Sequence, residues 1–118
     1  GNLEARRDFS DVRDIVQGYI ALLEKAEELE AGVTLNFCSG ESRRIGDVLD
    51  ELAAISSAEV SIVQDPTRLR PSDTPLAAGS SRRAEELFGW HPSVPWNETL
   101  QSVLHDWRAR VSSKSPVS

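Results

Sequence analysis

Apolar residues recur at helical spacing from Asp11 to about Glu30: Val12, Ile15, Val16, Tyr19, Ile20, Leu22, Leu23 and Ala26 share a side, and charge occupies the other. The pattern predicts a helix, with Ser10 or Asp11 capping its first turn and Gly32 ending it. Val33 to Phe37 reads as a short, mostly apolar strand, and Cys38-Ser39-Gly40 as a turn. Ile45 to about Ser57 predicts a second helix, with Ile45, Val48, Leu49, Leu52 and Ile55 on one face. Val60 and Ile62 alternate with Ser61 and Gln64, the period of a strand exposed on one face. Residues 3–9 read as extended.

The second half is punctuated by proline. Pro66, Pro71 and Pro75 lie between Asp65 and Gly79, and proline fixes φ and removes a donor, so this stretch is expected to be an ordered loop. Ser80 or Ser81 can cap a short helix ending near Phe88, with Gly89 as its stop. Pro95 suits the first turn of a last helix whose expected buried stripe is Leu100, Val103, Leu104 and Trp107. Trp90, Trp96 and Trp107 are expected to pack the helices around this end. Residues 112–118 read as a disordered tail. The order of elements is α/β, helix-rich with short strands, and 118 residues fit one small domain.

Composition narrows the functional classes. The net charge of −6 argues against general nucleic-acid binding, which needs a basic face. No apolar run is long enough to span a bilayer, no membrane partner is expected, and a cytoplasmic location is the default. Cys38 is the single cysteine, so no internal disulfide forms. The chain starts at Gly1 and contains no Met, which reads as a piece of a longer protein.

Candidate chemistry is sparse. His91 and His105 lack cysteine or histidine neighbours at metal-ligand spacing and read as surface residues, so no metal is expected. Cys38 has no evident base and reads as a small apolar residue. There is no glycine-rich nucleotide loop, and Tyr19, the only tyrosine, is followed four residues on by Leu23 and not by a lysine. No catalytic or cofactor-binding residue is therefore expected in this chain.

What remains are two arginine segments, Arg6-Arg7-Asp8-Phe9-Ser10-Asp11-Val12-Arg13-Asp14 and Asp65-Pro66-Thr67-Arg68-Leu69-Arg70-Pro71-Ser72-Asp73. Each sets guanidinium groups beside a carboxylate and a turn, and the planar fork of arginine suits a phosphate. A plainer reading of each is local: an ion pair at a helix start, and a loop held by its own hydrogen bonds. Arg43, Arg44, Arg82 and Arg83 read as solvated helix starts.

With these segments the chain resembles the C-terminal part of the extended short-chain dehydrogenase/reductases, the NAD-dependent epimerase/dehydratase group. Gly1-Asn2-Leu3-Glu4-Ala5-Arg6-Arg7-Asp8-Phe9, Val12-Arg13-Asp14, Asn36-Phe37-Cys38-Ser39-Gly40, Leu69-Arg70-Pro71-Ser72-Asp73 and Gly89-Trp90-x-Pro92 occur in the order and spacing of that group. Within it the chain is most similar to the GDP-6-deoxy-mannose reductases and GDP-mannose 4,6-dehydratases, and the Cys38-Ser39-Gly40 turn and the Arg70-Pro71-Ser72-Asp73 form tilt it toward the reductases. The resemblance implies a nucleotide-sugar binding subdomain over residues 1–111. It further implies a Rossmann-type domain, absent from this chain, that holds NAD(P)(H), a GDP-linked sugar as substrate, and a homo-oligomer. Arg7 and Arg70 match arginines that contact the nucleotide diphosphate, Asp73 matches an acid that contacts the ribose, and Asn2 lies in a stretch lining the nucleotide pocket. Thr34-Leu35-Asn36 departs from the family's usual Val-Tyr-Asn, and Ser80 from its usual Asp. The alternatives are an epimerase or dehydratase acting on UDP- or dTDP-sugars, or a non-enzymatic α/β interaction module.

Overall fold

The computed structural model describes residues 1–69 and 74–113. Three very short strands form its only sheet among the described residues: β1 (Arg6–Asp8), β2 (Ser42–Arg44) and β3 (Leu76–Ala77), in the order β2-β1-β3. β1 runs antiparallel to β2, with Arg6 opposite Arg44 and Asp8 opposite Ser42, and parallel to β3, with Arg6 beside Leu76. Arg-Arg-Asp, Ser-Arg-Arg and Leu-Ala carry no period-2 apolar alternation, which is why β2 and β3 fall where a helix start and a loop were expected.

The described residues also form four α-helices, α1 (Val12–Glu24), α2 (Ile45–Ser56), α3 (Arg82–Phe88) and α4 (Trp96–Ser113), and α2 packs against β2. Asp11 caps α1 by accepting from Arg13 N at 2.8 Å. The helix stops six residues short of the expected Glu30 and passes through Lys25 into a 3-10 turn, Ala26–Glu28. Its last turn holds no basic residue, and the acids from Glu24 to Glu30 oppose the negative end of the helix dipole. Gly32 adopts φ +83° beyond that turn. α2 matches its expected span and face, with Val48 buried and Ile45, Leu49, Leu52 and Ile55 half-buried. Its start is tied to the N-terminal stretch by Ile45 N to Ala5 O and Gly46 N to Leu3 O. α3 ends at Gly89, φ +68°, whose N–H reaches Glu85 O at 2.7 Å.

The core is small: Ala5, Val48, Ala84, Trp90 and Leu100 are its buried apolar residues. Phe37 fills the space between α1 and Trp90, edge-on to the Trp90 ring at 4.9 Å. A buried carboxylate helps to fasten the C-terminal half to α1: Asp14 accepts from Ser93 N, Ser93 Oγ and Val94 N, and its carbonyl accepts from Trp90 Nε1. The expected stripe of α4 is only half realised. Leu100 is buried and Leu104 half-buried, but Val103 and Trp107 face outward, and Trp107 is 59% exposed. Helical periodicity places these residues on one side of α4 but does not supply a neighbour wide enough to cover them. α4 also continues through Ser113, so Ser112 and Ser113 are helical where a tail was expected.

The predicted strands at Val33–Phe37 and Val60–Ile62 are not realised: neither segment joins a ladder among the described residues. Val60 and Val63 are exposed, as are Val12, Val16, Tyr19, Ile20 and Leu23 of α1. The radius of gyration is 18.0 Å, well above the ~13.5 Å expected of a compact 118-residue domain. The fold is thus open, with apolar faces that its own elements leave uncovered.

Candidate functional site

β1 alternates its three side chains to three tasks. Arg6 donates from Nη2 to Ser42 O at 2.7 Å and fastens β2. Arg7 donates from Nη1 to Arg6 O at 2.9 Å and to Thr74 O at 2.6 Å, and so holds the start of the β3 segment. Asp8 turns away from that contact. It accepts from Ser39 N, Ser39 Oγ and Gly40 N at 2.6–2.9 Å, and from Gly79 N at 3.4 Å. Partial burial works to raise the pKa of Asp8, but those donors outweigh it and hold the carboxyl below its usual range. Asp8 therefore locks a turn and does not aim Arg7, a role the Arg-Asp pairing in the sequence did not reveal.

Arg7 lines an open groove of about 670 Å³ with Asn2, Ile45, Thr67, Arg68 and Leu69. The far wall is a 3-10 turn, Pro66–Arg68, that Asp65 caps by accepting from Thr67 N at 2.9 Å and Thr67 Oγ1 at 2.7 Å. Two sequence-predicted site residues, Arg7 and Asn2, are thus brought together. Asn2 also accepts from Glu4 N at 2.9 Å through Oδ1, which closes a local turn at the groove's edge. Arg70 and Asp73 lie outside the described residues. Their neighbours do not: Leu69 lines the groove and Thr74 is bonded to Arg7. Arg68 was not singled out as a site residue; its place beside Arg70 in an Arg-x-Arg sequence was the available signal. It pairs loosely with Asp65, at 3.5 Å and largely exposed.

The other arginines are structural. Arg43 stacks on Trp96 with its guanidinium carbon 4.5 Å from the ring and pairs with Glu41, and Arg44 bridges Glu4 and Asp47. Both are half-buried in β2, and Arg44 also stands at the expected helix start as the N-cap residue of α2. Arg83 donates to Thr34 O. Trp90 and Trp96 pack as expected, Trp96 beside Phe9 at 5.8 Å and donating to Glu51, whereas Trp107 does not.

Burial, with the Asp8 charge adding, raises the pKa of the Cys38 thiol, the opposite of what a nucleophile needs. His91 and His105 are exposed, and no cluster of three or more metal-ligating side chains occurs among the described residues. No described helix is long and apolar enough to cross a membrane. Nicotinamide cofactors need a phosphate-cradling glycine loop, and reduction of a ketone needs a proton donor such as a lysine-assisted tyrosine. This chain has no glycine-rich loop and no Tyr-x-x-x-Lys pair, and no redox step is assigned to its residues.

The folded chain superposes on nucleotide-sugar reductases and epimerases, the class of fold the sequence pointed to. A structure of RMD from Pseudomonas aeruginosa in complex with NADPH aligns with a TM-score of 0.82 and 34% identity, covering 93% of this chain and 35% of that one. A putative epimerase from Burkholderia cenocepacia also aligns with a TM-score of 0.82, at 35% identity over 92% of this chain and 35% of the other.

Residues 1–103 match the GDP-mannose 4,6 dehydratase family, and the chain belongs to it. GDP-6-deoxy-D-mannose reductase from Pseudomonas aeruginosa is 37% identical over 111 residues, 94% of this chain and 36% of the reductase. UDP-glucose 4-epimerase 4 from Oryza sativa subsp. japonica is 28% identical over 85 residues, 71% of this chain and 22% of the epimerase. The chain thus spans about a third or less of the length of these relatives.

Proposed function

We propose that this chain is the substrate-holding part of an NAD(P)H-dependent nucleotide-sugar enzyme. Its substrate is GDP-4-keto-6-deoxy-mannose, which is reduced at C4. The observation that carries the reading is the placement of Arg7 in a groove walled by Thr67, Arg68 and Leu69 and bonded to Thr74. Leu69 lines that groove and Thr74 accepts from Arg7, which supports assigning the second arginine of the motif, Arg70, to the same anion. A guanidinium has five N–H donors and can serve a backbone carbonyl and a phosphate together. In this reading Arg7 and Arg70 neutralise the GDP diphosphate, Asp73 accepts from the ribose, and Asn2 lines the nucleotide.

The reacting ketone lies elsewhere, against a nicotinamide held by a separate Rossmann-type domain that also supplies the proton. Binding energy from the remote GDP end positions the sugar for that step. The similarity to GDP-6-deoxy-D-mannose reductase supports GDP over other nucleotides, and the likeness to UDP-glucose 4-epimerase 4 keeps UDP-sugars as the second reading.

The test is a nucleotide panel on the enzyme that contains this segment. GDP should raise the melting temperature more than UDP or dTDP. Arg7→Ala and Arg70→Ala should each raise the KM for the GDP-sugar by roughly tenfold or more, since hydrogen bonds to charged groups contribute about 1.5–3 kcal/mol, while NADPH binding stays unchanged. A KM unaltered in both variants removes the diphosphate from this groove.

A further inference from the structure

The far wall of the Arg7 groove is tied to the N-terminal stretch on both sides of its 3-10 turn. Before the turn, Gln64 Nε2 donates to Gly1 O at 2.9 Å. After it, Thr74 O accepts from Arg7 Nη1 at 2.6 Å and Pro75 O from Arg6 N at 2.8 Å. The turn itself closes through Arg68 N to Asp65 O and Leu69 N to Pro66 O, and the proline ring fixes φ at Pro66. The backbone that carries Arg68 is thus set in place, while its side chain lines the groove at 80% exposure.

Among the described residues the fork of Arg68 is uncommitted. Its ion pair runs from Nε to Asp65 Oδ2 at 3.5 Å, longer than an ordinary hydrogen bond. Asp65 is engaged elsewhere, because its Oδ1 accepts both Thr67 N and Thr67 Oγ1. Arg7 differs. Its Nη1 serves two carbonyls, Arg6 O and Thr74 O, so it brings a charge to the groove at a fixed place. A diphosphate presents several oxygens, and an open guanidinium fork can take two of them side by side.

We infer that Arg68 is a further phosphate-binding residue of this groove, held by Asp65 in the free protein and turned from that loose pair to bidentate donation when a diphosphate enters. This rests on the proposed function, in which the groove takes the diphosphate of a GDP-sugar. Asp65 then has two separable roles. Its Oδ1 builds the turn through Thr67, and its charge competes with the phosphate for Arg68. An exposed pair of this kind is weak and readily exchanged for a better-placed anion.

The test is steady-state kinetics on the enzyme that contains this segment, with GDP and guanosine as competing ligands. Arg68→Ala should raise the KM for the GDP-sugar by roughly tenfold, as loss of a hydrogen bond to a charged group does. It should weaken GDP but not guanosine, which carries no phosphate. Asp65→Asn keeps an Oδ1 for Thr67 and removes the competing charge, so it should lower the KM by roughly two- to fivefold, the worth of an exposed pair. An unchanged KM in Arg68→Ala overturns the inference, as does equal weakening of GDP and guanosine. So does a KM for Asp65→Asn at or above the wild-type value, which would make the pair a support of the turn. Arg7→Ala and Arg70→Ala separate this from the diphosphate reading. If they raise the KM and Arg68→Ala does not, Arg68 alone is removed from the site. If Arg68→Ala alone raises it, the roles of Arg7 and Arg70 fall and Arg68 stands as the anion contact.

Discussion

Asp11 shows how one carboxylate combines local and long-range roles. It accepts from Arg13 N, from Nε and Nη2 of Arg13 and from Thr99 Oγ1, so it caps α1 and fixes α4 against it. The Arg13 guanidinium holds its carboxyl far below the usual carboxylate range against the opposing effect of burial, and the Arg13 N–H and the Thr99 hydroxyl add to the depression. The folded state therefore binds the Asp11 proton less well than the unfolded chain does. The stabilisation is complete above the unfolded pKa, near 3.9, and is lost as pH falls toward the lower folded value. Asp11→Asn should flatten the acid limb of a stability-against-pH curve, and a limb identical to wild type would remove Asp11 from that linkage. Gly18 argues the packing side at the same scale. Phe37 is held between Tyr19, at 6.2 Å, and Trp90, so its ring cannot give way to a new Cβ. Gly18→Ala gains at most about 1 kcal/mol of helix propensity and overpacks by about 1–3 kcal/mol, so chemical denaturation should show a net loss.

Among the elements, the helices were legible and the sheet was not. α2 keeps its apolar face because Ile45, Val48, Leu49, Leu52 and Ile55 meet neighbours that the chain itself supplies. α1 was read too long because its pattern continues to Ala26, while the acids that follow are unfavourable at a helix end. β1, β2 and β3 have two or three residues each, too few for a period to declare itself, and their pairing depends on contacts such as Arg6 N to Pro75 O, 69 positions apart. Conversely, Val33–Phe37 has a strand's pattern but no strand's partners. The site divided in the same way. Arg7 and Asn2 were visible as residue types in a motif, whereas the 3-10 turn that brings Arg68 opposite them needs the Asp65 cap, whose effect shows only in the fold. The contrast between tryptophans gives an element-level prediction. Trp90→Ala should cost about 3–5 kcal/mol, as buried aromatic truncations do, and Trp107→Ala within about 0.5 kcal/mol, both read by denaturation of the isolated chain.

For the molecule as a whole, openness is the governing fact. An extent of 55 × 39 × 24 Å is large for 118 residues with five buried apolar side chains among the described residues. Hydrophobic stabilisation scales with apolar area removed from water, and little is removed here. The purified chain should accordingly show no NADPH-dependent turnover of a GDP-4-keto sugar, because neither a glycine-rich cofactor loop nor a Tyr-x-x-x-Lys pair is present in its sequence. Steady oxidation of NADPH by a homogeneous sample would overturn the assignment of chemistry to another domain.

Asp14 sits outside the groove, yet it is the latch between α1 and everything after Gly89. Its two carboxylate oxygens take three donors, and its carbonyl takes the Trp90 indole. Asparagine would put an NH2 group either where Ser93 donates or where Val94 donates, and glutamate would push the carboxylate a methylene too far. An activity-based mutational scan would thus score Asp14 as intolerant even of its closest mimics, the profile usually credited to an acid–base residue, at a position whose partners Trp90, Ser93 and Val94 belong to the segment leading into the last helix.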